Sequence, residues 1–226
     1  MSSRLAYQGI LAALGLAFAP ALFVGCREIL GFEERELDTT AQDGGTDGPE
    51  PLSCEAYCAK ITELCTGANK QYASEAACLG LCPTFPVGSL DDDTGHTLGC
   101  RIHLLEGASA LIETSECAAA GPSGNGVCGT KCDSYCTSME SVCPDTFNGF
   151  ADCVETCTPL IDCGLYTIPE VTPDDPSIQC RIYHLSAAAE NLPDAMGNEP
   201  TASQVKHCPH AAGETECIAV TDPMCP

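Results

Sequence analysis

The chain runs to 226 residues and sets 32 acidic against nine basic side chains, a formal charge of −23, with nineteen cysteines and no tryptophan. So large an acidic excess excludes nucleic acid as a partner, because binding phosphate requires a basic surface. Aromatic residues are only 5% of the chain, which leaves little for an apolar core and makes cross-links the expected substitute.

The first element, residues 1–25, reads as an export signal. Arg4 supplies the positive start, and Gly9 to Val24 is an apolar run broken by Pro20, too short and interrupted for a good spanning helix. The stretch "LFVGC" that closes it resembles a bacterial lipobox, in which the cysteine, here Cys26, is lipidated and becomes the mature N-terminus. The acyl chains on such a cysteine suffice for stable attachment, so the expected partner at this end is a membrane and the expected location is the bacterial cell envelope. Residues 26–53 follow as a linker. They carry eight acids against Arg27 and Arg35, and their later half is Gly, Asp, Thr and Pro with little to bury. We expect a disordered acidic tether.

From residue 54 the chain repeats itself. "CEAYCAKITELC" (Cys54–Cys65) matches "CDSYCTSMESVC" (Cys132–Cys143). At helical spacing the three cysteines and the Tyr, Ile/Met and Leu/Val positions fall within about 120° of one face, which predicts a helix twice. "CLGLC" at Cys78–Cys82 and "CVETC" at Cys153–Cys157 give a second helix in each copy, since Cys-x3-Cys stacks two sulfurs on one side. A third pair, "CRIHLL" at Cys100 and "CRIYHL" at Cys180, opens behind acidic loops. Asp93 or Thr94, and Asp175 before Pro176, are the expected starts of those helices. The reading is all-α: two tandem disulfide-stapled three-helix modules, 54–129 and 130–226, after the signal and tether.

Eighteen cysteines remain once Cys26 is set aside, and in an exported chain they imply disulfides rather than thiolate metal sites. The pairing that lets both hairpin bridges form at disulfide distance is nested: Cys54–Cys82 outside Cys58–Cys78, and Cys132–Cys157 outside Cys136–Cys153. The third helix is expected to be tied by Cys65–Cys100 and Cys143–Cys180, and the closing loops by local pairs, Cys117–Cys128 and Cys208–Cys217. Cys163 and Cys225 lack first-copy counterparts and are expected to bridge each other. Connectivity is not determined by sequence alone.

The lipobox, acidic tether and paired cysteine modules resemble cysteine-rich lipoproteins of myxobacterial type, as do "REILGF" after Cys26 and the closing "HCPHAAGETEC". The resemblance covers most of residues 20–226 and implies location and layout but no reaction. The twin Cys-x3-Cys hairpin is also similar, in scaffold only, to small chaperones of the mitochondrial intermembrane space.

Chemistry has few places to reside. No Cys-x-x-Cys-His, Cys-x-x-Cys or Gly-x-Ser-x-Gly string occurs, which removes the usual signatures of covalent haem, thioredoxin-like exchange and serine hydrolysis. Arg101 and Arg181, at matched places, are expected to pair with acids of their own modules and to cap the neighbouring helix, with ligand binding as the alternative. The acids at 91–93 read as helix caps, with Ca²⁺ as the sharper alternative. Three histidines of the second copy, His184 on the third helix and His207 and His210 in the closing "HCPH", could converge on Zn²⁺ or Cu²⁺ if that segment folds back. Their first-copy counterparts are Leu104, Glu116 and Ala119, so such a site would exist once; the bland alternative leaves His207 and His210 exposed. Two functions follow as expectations: a non-enzymatic, lipid-anchored envelope module that binds a protein or small ligand or is structural, or a metal-binding envelope protein.

Overall fold

The computed structural model describes residues 52–107, 112–171, 175–190, 192, 200–214, 217 and 225. By internal contacts the chain divides after Asp47, and Gly48–Pro226 forms one unit. The expected signal, lipidated Cys26 and the tether as far as residue 51 lie outside the described residues, while Ser53 at the tether's end is ordered as the cap of the first helix.

Among the described residues the fold is all-helical, with eight α-helices and no strands: α1 (Cys54–Leu64), α2 (Glu75–Leu81), α3 (Leu98–Gly107), α4 (Thr114–Ala120), α5 (Lys131–Val142), α6 (Phe150–Cys157), α7 (Ile178–Ala188) and α8 (Ala202–Ala212). None is long and apolar enough to cross a membrane. Local side chains start most of them. Ser53 accepts a hydrogen bond from the Ala56 amide at 3.1 Å and Ser74 one from Ala77 at 3.0 Å. Thr130 accepts from Asp133 at 3.0 Å. Each satisfies an amide that a helix start leaves unpaired.

The starts of α3 and α7 differ from expectation in an instructive way. The capping groups are Thr97, whose Oγ1 accepts from the Cys100 amide at 3.0 Å, and Ser177, whose Oγ accepts from Cys180 at 3.1 Å. The loop acids stand one step further out. Asp92 accepts the Thr97 hydroxyl at 2.8 Å, and Asp175 accepts the Ser177 amide at 2.9 Å together with its hydroxyl. The carboxylates thus orient the caps rather than cap the helices themselves.

The hairpin bridges are Cys54–Cys82, Cys58–Cys78, Cys132–Cys157 and Cys136–Cys153, with Cα separations of 5.6 to 5.9 Å, and Cys163 is bonded to Cys225. The remaining four expected pairs are replaced. Cys65 bonds Cys117 and Cys100 bonds Cys128. Cys143 bonds Cys208 and Cys180 bonds Cys217. Hence Cys65–Cys100, Cys117–Cys128, Cys143–Cys180 and Cys208–Cys217 do not form. The reason is a fourth helix in each half where a loop was expected. α4 carries Cys117 against α1, and α8 carries Cys208 against α5, so the first cysteine of each closing segment faces the first helix. The second, after the helix ends, reaches the third.

The repeated Tyr residues, and Arg181 in the second half, secure that fourth helix. The Tyr57 hydroxyl donates to the Ala120 carbonyl at 2.7 Å, and the Tyr135 hydroxyl to Ala211 at 2.8 Å. Arg101 donates to the Cys128 carbonyl at 3.2 Å and Arg181 to Ala212 at 2.5 Å. Neither arginine forms an ion pair among the described residues, where Lys131–Asp162 at 2.7 Å is the salt bridge found. Arg101 is fully buried over the Phe85 ring, 4.0 Å from its centroid, and also meets His96 and Ser134. The expected carboxylate partners are thus replaced by backbone carbonyls: the last residue of α8 for Arg181, and Thr97 before α3 with Cys128 in the loop beyond α4 for Arg101.

One hydrophobic cluster runs through both halves, from Tyr57 and Ile61 to Leu185 and Ala211, and thirteen of the bridge cysteines are buried, at 3% exposure or less. Contacts also cross between the halves: Thr84 with Ser138 at 2.7 Å, Ser74 with Glu190 at 3.1 Å, and Ser134 with His96 at 3.1 Å.

Candidate metal centre

α7 and α8 pack along their length and place the histidines. Cys180 and His184 stand one turn apart on α7, on the face turned to α8. His207 and His210 stand one turn apart on α8, on the face turned back. Three devices hold α8 in register: the Thr201–Gln204 capping box at its start, the Cys143–Cys208 bridge at its middle, and the Tyr135 and Arg181 hydrogen bonds at its end. Gly213, at φ 78°, ends the helix with its amide on the His210 and Pro209 carbonyls, the left-handed termination that glycine adopts without strain.

The three imidazoles converge. Nδ1 of His184 lies 3.1 Å from Nδ1 of His207. The His184 ring stacks on His207 at 5.3 Å between centroids and meets His210 edge-on at 4.7 Å; His207 and His210 are 5.8 Å apart. One ring nitrogen from each lies within 4.8 Å of the other two. Two imidazole nitrogens bound to the same tetrahedral Zn²⁺ at about 2.0–2.1 Å stand about 3.4 Å apart. At 3.1 Å the His184–His207 pair is a hydrogen bond between rings that also lies close to the spacing of two ligands of one ion, and the three ring nitrogens, within 4.8 Å of one another, would draw together around it. His184 is 3% exposed, whereas His207 and His210 are half-buried, so the cluster is closed on the α7 side and reachable from the other.

The remaining histidines are elsewhere. His103 is exposed on α3. His96 sits in the first half, edge-on to Phe85 at 5.5 Å, with Nδ1 beside Arg101 and Ser134. Burial, reinforced by the Arg101 charge, lowers its pKa to about 4, so it is a neutral structural imidazole at ordinary pH. The first-half positions matching the histidine cluster hold Leu104, Glu116 and Ala119, and Glu116 is occupied in accepting the Glu113 amide at 3.0 Å. Among the described residues the acids at 91–93 form no metal-ligating group with neighbours.

A feature not anticipated from sequence is a second, overlapping group. Cys180, His184 and Cys217 also present ligand atoms within 4.8 Å of one another. The Cys180–Cys217 bridge therefore lies against the histidine cluster, with His184 common to both. The Cys180-x3-His184 spacing on one helix face was the available signal; the position of Cys217 was hidden by the misread pairing.

Residues 32–132 match the family described as the BfoA family C-terminal domain. The match runs from residues that precede the described fold through α1–α4 to the start of α5, so it covers the first half and stops short of the histidines. It fits a cysteine-rich protein and names no activity. No curated protein and no solved structure matches the chain.

Proposed function

We propose that this is a non-enzymatic, exported protein, anchored by lipid on Cys26 to a membrane of the bacterial envelope and built from a duplicated, disulfide-stapled helical module. Its second module binds one Zn²⁺ or Cu²⁺ ion through His184, His207 and His210. The observation that carries the metal reading is the convergence of three imidazoles from two helices, with two Nδ1 atoms 3.1 Å apart. Imidazole suits both ions, and three protein ligands leave a fourth position for water or a ligand from outside. The acidic surface adds to it by raising the local concentration of cations. The duplication reading is supported by the matched bridges and by the matched Tyr hydrogen bonds.

The test is native mass spectrometry of the oxidised chain with Zn²⁺ and, separately, Cu²⁺. Uptake of one ion per chain, lost in the His184→Phe/His207→Ala/His210→Ala variant, is expected. Absence of uptake by the wild type, or equal uptake by the variant, rejects the site.

A further inference from the structure

We infer that the Cys180–Cys217 bridge is a latent part of the metal site: opened by a thiol reductant, it supplies two thiolates that join His184 and one of His207 or His210 as a four-ligand Zn²⁺ centre. This inference rests on the histidine reading and deepens it by adding a second ligand set at the same place.

The geometry carries it. Cys180, His184 and Cys217 already stand within 4.8 Å of one another, as do His184, His207 and His210, and His184 belongs to both groups. Cys180 and His184 are on the same face of α7, four residues apart, the spacing at which two helical side chains meet. All three residues of the Cys–His–Cys group are buried, so thiolates formed there would be shielded from solvent and flanked by imidazoles. The other bridges have no such company: among the described residues no other bridge cysteine belongs to a group able to hold an ion. The first-half twin of this bridge, Cys100–Cys128, has Leu104 where this one has His184.

The chemistry balances with glutathione as reductant. Two glutathione thiols reduce the Sγ–Sγ bond, giving two protein thiols and one glutathione disulfide. On binding Zn²⁺ both thiols lose their protons, and the thiolates bond at about 2.3 Å beside imidazole nitrogens at about 2.0–2.1 Å. Because the ion binds the opened form more tightly than the closed one, it must also favour opening, by mutual linkage of the two equilibria. The oxidised protein would hold its ion on three imidazoles and an outside ligand; the reduced one would hold it in a closed tetrahedral set.

Two measurements test this. In the first, the wild-type chain is equilibrated in glutathione redox buffers with free Zn²⁺ fixed by a chelator, and each bridge is scored by differential alkylation and peptide mass. Zn²⁺ is expected to lower at least tenfold the reducing power needed to open Cys180–Cys217, and to leave Cys100–Cys128 unmoved. An equal effect on both bridges, or none on either, overturns the inference. In the second, Cys217→Ser leaves a single thiol at Cys180, and Co²⁺ stands in for zinc. A near-ultraviolet thiolate-to-cobalt charge-transfer band, absent in Cys180→Ser/Cys217→Ser, is expected; its absence from the single variant counts against the inference. The wild-type redox titration does not depend on that variant folding. Zn²⁺ uptake by the oxidised chain tests the histidine reading by itself, so a wild type that takes up zinc without either effect rejects the thiolate set and keeps the imidazole one.

Discussion

His96 makes the stability of the fold depend on pH in a direction the structure defines. Its Nδ1 faces the Arg101 guanidinium at 3.3 Å and the Ser134 hydroxyl at 3.1 Å. Phe85 covers one side, and the backbone of Gly129 the other. Asp133 is the charge that opposes Arg101, and it ranks below burial and Arg101 in effect. The folded value of about 4 lies below the ordinary 6.5, so the unfolded chain binds a proton that the folded chain refuses. The contribution of neutral His96 is therefore whole above about pH 6.5 and is lost as the pH falls from there toward 4. At about 1.4 kcal/mol for each pH unit of displacement the limit is about 3 kcal/mol. His96 is only half-buried, and solvent screening brings the expected loss to about 2 kcal/mol. The assay is guanidinium unfolding of the oxidised chain at pH 7 and pH 4.5, for wild type and for His96→Asn, whose Oδ1 can accept the same hydrogen bonds. The wild type should lose about 2 kcal/mol more than the variant over that interval. Parallel losses in the two proteins would refute the reasoning.

Other consequences follow from the same packing. A Cβ added at Gly80 would lie 1.8 Å from the Ala189 carbonyl oxygen, so Gly80→Ala must push α2 away from the end of α7; a loss of about 1–3 kcal/mol in denaturant unfolding is expected, as for overpacked cores. Removing Cys143 and Cys208 together, which spans 65 residues, should cost roughly 4 kcal/mol, against roughly 3 kcal/mol for the 17-residue span of Cys136 and Cys153. Only the former should also weaken metal uptake, because Cys208 separates the two α8 histidines. Tyr135→Phe removes the hydrogen bond to Ala211 at 2.8 Å and should cost about 1–3 kcal/mol, read by the unfolding midpoint. Metabolic labelling with radioactive palmitate should mark the full chain in a bacterial host and fail in Cys26→Ser.

How far the sequence could be read depended on the range of the interaction. The hairpin bridges were legible because Cys-x3-Cys puts two sulfurs one helical turn apart, a local fact with few geometric solutions. The crossing pairs are not legible without α4 and α8, which the sequence pattern presents as loops. Their start signals were present: Glu113 and Glu116 bracket the first, and the Thr201–Gln204 box opens the second. Pro209 inside α8 and the short alanine run of α4 obscured them. The arginine partners were legible only in part: a helix-capping role was expected and Arg181 fills it at Ala212, but nothing in residue identity marks the Thr97 and Cys128 carbonyls that Arg101 meets. The three histidines were legible as a set, because two lie in one segment and the third on the helix against which that segment must pack. Their neighbour, the Cys180–Cys217 bridge, was not, because placing it requires the long-range pairing first.

The most direct measurement of the central claim is anomalous diffraction at the zinc edge from crystals of the oxidised chain grown with one equivalent of Zn²⁺. The account predicts one peak between α7 and α8, within about 2.1 Å of ring nitrogens of His184, His207 and His210. A peak at the acids of 91–93, or at none of these histidines, would contradict it.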